Sequence, residues 1–113
     1  MALPAHHLYV TVAIPETRTL AAMDPRNDSR HTYLAESYLP RIRVADLRET
    51  ARRARLAAEA LAAEGLHVRH LRTSFLPDDE VCLHVFEAPS ADAVSEAMRR
   101  AALAVDRIVE TVE

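Results

Sequence analysis

The chain has 113 residues, of which half are apolar and 27% are charged, and its formal net charge is −3. This length suits one domain with a single core, and the composition is that of a folded globular protein. An acidic balance with few aromatic residues predicts no nucleic-acid partner, and apolar runs far shorter than about 20 residues predict no membrane span. The N-terminus lacks the basic start of a secretory signal, so we expect a cytoplasmic protein.

The first 31 residues differ from the rest of the chain. Residues 8–14 (LYVTVAI) alternate as a short strand does, whereas residues 15–31 contain two prolines and scattered charges without a period. We interpret residues 1–31 as an extension, with one added edge strand and a mobile linker. The remaining residues, 32–113, are predicted to form the domain.

Two helices are predicted within that domain. The first covers residues 44–64, because Leu47, Ala51, Ala54, Ala58 and Leu61 recur at three- and four-residue spacing. Gly65, the only glycine, suits the left-handed position after its last turn. The second helix follows Ser90, a good N-cap, and has Val94, Ala97, Met98 and Ala101 on one stripe.

Four strands are predicted around these helices, and the second and third are joined by the turn residues LPDD. They cover residues 32–39, 66–75, 80–87 and 105–112. The resulting order of strand, helix, strand, strand, helix, strand predicts an α+β, ferredoxin-like βαββαβ fold. Right-handed crossovers then place both helices on one face of a four-stranded antiparallel sheet, which leaves the other face open.

Period-two alternation predicts which side chains lie on that open face. In the third predicted strand, Val81, Leu83 and Val85 are the apolar choice for the core, so Cys82, His84 and Phe86 are expected on the open face. The same argument applied to the other strands gives the full set of open-face residues: Glu36, Tyr38, His70, Arg72, Ser74, Cys82, His84 and Phe86.

The open face suggests a divalent-metal site formed by Cys82, His84, Glu36 and His70. Thiolate, imidazole and carboxylate are usual ligands of nickel and zinc, and an i, i+2 spacing on a strand brings two side chains to one side. Two other functions stay open. The open face could be the interface of a homodimer that serves as a non-catalytic ligand-binding module.

Alternatively, the chain could be a small cofactor-independent oxygenase or cyclase. Tyr38 and Phe86 would then line an apolar pocket, with His84 or His70 as acid or base and Arg72 holding a carboxylate or enolate. No motif ties a nucleophile to these histidines.

Three segments carry a resemblance to a known family: YLAESYLP, the run from AAEALAAEG through EVCLHVFEAPS to MRRAAL, and DRIVETVE. They resemble a family of small bacterial proteins with a ferredoxin-like fold, otherwise a domain of unknown function, that includes a dimeric nickel-binding member. The resemblance covers about residues 32–113 and implies that fold, a homodimer formed through the sheet, and nickel as a possible ligand.

The resemblance also assigns positions. Glu36 stands where the family has a glutamate in Val-Glu-Arg, and Cys82 stands at the first cysteine of a Glu-x-Cys-x-Cys strand, whose second cysteine is replaced by His84. A histidine can replace a thiolate as ligand, so the resemblance implies an altered site. The sequence departs from the family at three further places. Met98 stands where asparagine or histidine is expected, Ala102 where glycine is expected, and Ala104-Val105 where a Pro-Phe pair is expected.

Overall fold

The computed structural model describes residues 10–12 and 31–112. These form five strands and two helices. The elements in chain order are β1 (Val10–Val12), β2 (His31–Tyr38), α1 (Val44–Ala63), β3 (Arg69–Leu76), β4 (Val81–Ala88), α2 (Ala91–Arg100) and β5 (Arg107–Thr111). The predicted linker and most of the predicted extension lie outside the described residues, so the division of the chain near residue 31 stays a prediction.

The sheet has the strand order β1-β3-β4-β2-β5, and every neighbouring pair is antiparallel. Without β1, the order of the other four strands is that of the ferredoxin-like βαββαβ fold, which confirms the predicted fold class. The short strand β1 pairs with the outer edge of β3. β4 is the central strand of the five, with β3 and β2 on either side of it, so the side chains of these strands are best placed to build a buried site.

The helices begin and end for the local reasons that the sequence indicates. The Ser90 side chain accepts a hydrogen bond from the Ala93 backbone N–H at 3.2 Å, which caps α2. At the end of α1, Gly65 has a φ of 97°, and the Leu66 N–H reaches back to the Leu61 carbonyl at 3.0 Å. The buried stripe of α1 comprises Leu47, Ala51, Ala54, Ala57, Ala58 and Leu61.

The face of β4 that packs against the helices is the opposite of the predicted one. Cys82, His84 and Phe86 are each 0% exposed. Cys82 packs in a cluster with Leu47 and Ala51 of α1, and Phe86 packs in the main core with residues of both helices. The prediction that these three residues lie on the open face is therefore wrong.

The physical reason is that β4 is apolar on both sides. Val81, Leu83 and Val85 were the more hydrophobic set, and Val85 is also buried, at 3% exposure, although it lies away from the helices. Because hydrophobicity does not distinguish the two sides, packing decides between them. Alanines of both helices pack in one core cluster with the Phe86 ring, and the polar side chains beside it form hydrogen bonds with one another.

A β-bulge in β3 explains the second error, which concerns His70. His70 pairs with Phe86, whereas Arg72 pairs with Val85, so β3 has one extra residue between them. The extra residue breaks the alternation. His70 consequently faces the helices at 3% exposure, while Arg72 stays exposed on the other face.

Among the described residues, neither helix is long and apolar enough to cross a membrane.

Candidate functional site

Four polar side chains of the hairpin form a connected line between the sheet and the helices. We call this line the buried polar row, and it consists of His70, Thr73, His84 and Cys82. His70 Nε2 lies 2.8 Å from Thr73 Oγ1, which lies 2.6 Å from His84 Nδ1. The other ring nitrogen of His84, Nε2, lies 3.6 Å from Cys82 Sγ.

Strand register is what brings these residues together. Thr73 of β3 is directly paired with His84 of β4. Cys82 precedes His84 by two residues and lies on the same side of β4. The bulge then adds His70 to that side. Each of the four residues is at most 3% exposed, so solvent does not compete for their hydrogen bonds.

Aromatic contacts hold the two imidazole rings in place. The Phe86 ring meets His70 edge to face, with ring centroids 5.4 Å apart, and lies 6.4 Å from the His84 ring. The two imidazole centroids are 6.1 Å apart, which leaves space for the Thr73 hydroxyl between them. The rings are therefore packed on one side and hydrogen-bonded on the other.

Burial keeps the whole row uncharged at neutral pH. Desolvation, with a smaller contribution from His70, lowers the pKa of His84 to about 3. Desolvation, followed by the nearby Arg55 guanidinium, lowers the pKa of His70 to about 4. Desolvation also raises the pKa of the Cys82 thiol to about 12. Among the described residues, no ion pair stabilises a charge at these atoms, so the neutral forms are favoured.

One buried atom of the row is left over. His70 Nδ1 has no hydrogen-bond partner among the described residues, and the same holds for the buried Nε of Arg55, whose Nη1 donates to Glu59 at 2.9 Å. Unpaired buried polar atoms are rare in folded proteins and often mark a functional site. His70 Nδ1, at the end of the row, can therefore form one more hydrogen bond.

The separation of Cys82 Sγ and His84 Nε2 suits a shared metal ion. In a tetrahedral zinc site with a zinc–sulfur distance of about 2.3 Å and a zinc–nitrogen distance of about 2.1 Å, two donors lie about 3.6 Å apart. The observed distance is 3.6 Å. A neutral S–H···N hydrogen bond accounts for the same distance in the absence of metal.

The other predicted ligand is not part of this arrangement. Glu36 lies on the face of the sheet away from the helices, where its carboxylate pairs with the Arg107 guanidinium at 3.0 Å. The sheet therefore separates Glu36 from Cys82 and His84. Within the described part of the chain, no group of three or more His, Cys, Asp or Glu side chains is placed to hold a metal ion.

The predicted pocket residues are divided in the same way. Tyr38, at 58% exposure, lies on the face away from the helices together with Arg72 and Ser74. Phe86 lies in the core beneath that face, so these four side chains do not line one pocket. The homodimer predicted to form through this face stays a prediction.

Sequence reasoning missed Thr73, which is the residue that joins the two histidines. The observed hairpin turn covers residues 77–80, one residue later than the predicted turn LPDD (76–79), and this register sets Thr73 opposite His84. The predicted register would have set Thr73 opposite Cys82, so both the register and the assignment of the strand faces hid its role.

Comparison with known proteins gives one relationship. Neither the curated proteins nor the solved structures contain a significant match to the chain. A family model described as nickel responsive protein SCO4226-like matches residues 33–111, which span β2 to β5 and include the whole buried polar row. Because this match covers most of the chain, the protein belongs to the SCO4226-like family of nickel-responsive proteins.

Proposed function

We propose that the protein binds a divalent metal ion, nickel in the first place, through Cys82 and His84 on the helix-facing side of its sheet. The observation that carries the proposal is the 3.6 Å contact between Cys82 Sγ and His84 Nε2. Membership of a nickel-responsive family supports the choice of metal. Thiolate and imidazole are also donors that nickel and zinc accept.

Two side chains, Cys82 and His84, have the chemistry to serve as ligands of such an ion. His84 is held neutral by burial, so one of its ring nitrogens carries a lone pair, and the Cys82 thiol becomes a ligand when it loses its proton. Glu36 cannot join these two ligands because it lies on the other side of the sheet, so any further ligand would be water that enters together with the ion. This site differs from the predicted one in its location and in its number of protein ligands.

Burial has a kinetic consequence for metal uptake. Cys82 is 0% exposed and packs in a small cluster with Leu47, Ala51 and Phe75. An ion therefore reaches the thiol only when this part of the structure opens locally. We expect uptake to be slow and to release one proton from the thiol, so that affinity rises with pH.

The contact between Cys82 and His84 also separates this proposal from its alternatives. An oxygenase or cyclase calls for a histidine in an apolar pocket away from Cys82, and a non-catalytic module calls for the two residues to be buried apart. Among the described residues Cys82 and His84 are in contact and not buried apart, which supports metal binding over the non-catalytic module.

Nickel titration of tag-free protein tests the proposal. We expect calorimetry to detect nickel binding by the wild type and none by the double variant Cys82→Ala, His84→Ala. Thiolate coordination should also produce a charge-transfer band in the near-ultraviolet spectrum, and Cys82→Ser alone should remove that band.

Two matched controls are available. His67 is an exposed histidine, so His67→Ala removes an imidazole without touching the row and should leave nickel binding unchanged. His6 and His7 are adjacent in the sequence and provide another source of imidazole, so a variant with both replaced by alanine should also bind normally. Undiminished binding by the Cys82, His84 double variant, with circular dichroism showing that it is folded, would reject the site.

A further inference from the structure

We propose that Thr73 is a positioning residue for the metal site: its hydroxyl fixes the tautomer of His84 so that the Nε2 lone pair faces Cys82, and it couples that tautomer to the tautomer of His70. This inference rests on the proposed metal-binding function. It concerns a residue of β3 that binds no metal itself.

The geometry places the Thr73 hydroxyl between two imidazole nitrogens. Its oxygen lies 2.6 Å from His84 Nδ1 and 2.8 Å from His70 Nε2, and Thr73 is 0% exposed. A hydroxyl has one hydrogen to donate. Among the described residues, these two nitrogens are the only hydrogen-bond partners of the Thr73 hydroxyl, so its hydrogen goes to one ring and its oxygen accepts from the other. The two hydrogen bonds then run in a common direction along the row.

Only one of the two directions is compatible with a metal ligand at His84. In that direction, His84 Nδ1–H donates to Thr73, the Thr73 hydroxyl donates to His70 Nε2, and His84 Nε2 presents a lone pair to Cys82. In the opposite direction His84 carries its hydrogen on Nε2, which points at sulfur and blocks coordination. The second ring nitrogen of a metal-bound histidine is commonly hydrogen-bonded in this way, which fixes the ring and its tautomer.

The thiol favours the competent direction before any metal arrives. Cys82 Sγ is buried with no cation beside it in the described structure, so it keeps its proton, and His84 Nε2 is 3.6 Å away as an acceptor for it. The row then runs from the thiol to His70, and each member donates to the next. Its last hydrogen lies on His70 Nδ1, the atom without a partner among the described residues.

A specific pattern of tautomers follows. Because the Thr73 hydroxyl donates to one ring and accepts from the other, both rings carry their hydrogen on the same type of nitrogen, which is Nδ1 in the competent direction. If Thr73 played only a packing role, the two tautomers would be independent of each other.

Nitrogen-15 NMR of the metal-free protein measures these tautomers directly. We expect both His70 and His84 to carry hydrogen on Nδ1, and we expect Thr73→Ser to preserve this state because it keeps the hydroxyl. Thr73→Val removes the hydroxyl and should release the coupling. A hydrogen on His84 Nε2, or unlike tautomers on the two rings, in the wild type would overturn the proposal.

Nickel affinity provides the second readout. Thr73→Val should weaken nickel binding about 10- to 100-fold, as expected when an outer partner of a ligand is lost, and Thr73→Ser should restore it close to the wild-type value. Equal affinity of the folded valine variant and the wild type would reject the positioning role. If the valine variant does not fold, the tautomers of the wild type and the nickel affinity of the serine variant still test the positioning role. Absence of nickel binding by the wild type, with both rings in the predicted tautomer, would instead refute the proposed function.

Discussion

Acidification should destabilise this protein well above the pH range in which carboxylates titrate. The unfolded chain binds protons at His70 and His84 with a pKa of about 6.5, whereas in the folded protein the two values are about 4 and about 3. Between these limits the unfolded chain holds more protons than the folded protein, so stability rises with pH. The contribution of the two histidines to the free energy of unfolding is complete above about pH 6.5. It is lost as the pH falls toward their pKa values in the folded protein.

The magnitude follows from these pKa values. Each ring loses about 2 kcal/mol of stabilisation between about pH 7 and about pH 5, so the pair loses about 4 kcal/mol. That is a large share of the roughly 5–15 kcal/mol by which a domain is usually stable. The lowered pKa values of Glu49, Glu64 and Glu96 act in the same direction, but their effect develops at lower pH, where carboxylates become protonated.

Urea unfolding at several pH values between those limits measures the effect. His70→Gln keeps a polar side chain beside Thr73 and should remove about half of the pH dependence. His67→Gln is the matched control, because His67 is exposed in the folded protein as it is in the unfolded chain, and it should leave the dependence intact. Equal stability of the wild type at both ends of the range, or an equal effect of the two glutamine variants, would refute the reasoning.

Three further predictions concern the helix ends. Ala102 follows α2 with a φ of 57°, a conformation that disfavours a side chain, so Ala102→Gly should raise the free energy of unfolding by about 1 kcal/mol. Gly65→Ala should lower it by about 1 kcal/mol through backbone strain alone, since an added Cβ meets no atom within 4 Å. Ser90→Ala should cost about 1 kcal/mol because the α2 cap is lost, whereas Ser90→Asp should retain it. Urea unfolding measures all three, and a change of opposite sign would contradict the corresponding end structure.

The elements of this fold were predictable because their signals are local. The apolar spacing of α1, the cap at Ser90 and the turn between β3 and β4 each depend on residues close together in the chain. The order of these elements then leaves few topologies once crossovers are right-handed. The predicted βαββαβ arrangement agrees with the structure for this reason.

The candidate site was predicted only in part. Cys82, His84 and His70 were identified as residues that could act together, and the structure does bring them into one row. Glu36 was assigned to the same group, but it lies on the other side of the sheet. Thr73 was overlooked, although it supplies the contact on which the row depends.

The remaining difference lies in which side of each strand meets the helices. Periodicity along the chain is sufficient to find strands and helices, but β4 is apolar on both sides, and a one-residue bulge in β3 reverses the orientation of His70 relative to Arg72. Choosing between the sides required the packed helices, whose alanines accept the Phe86 ring. It also required the hydrogen bonds among four polar side chains, which make their burial tolerable. Those contacts join residues that only the folded chain brings together, so no local pattern encodes them.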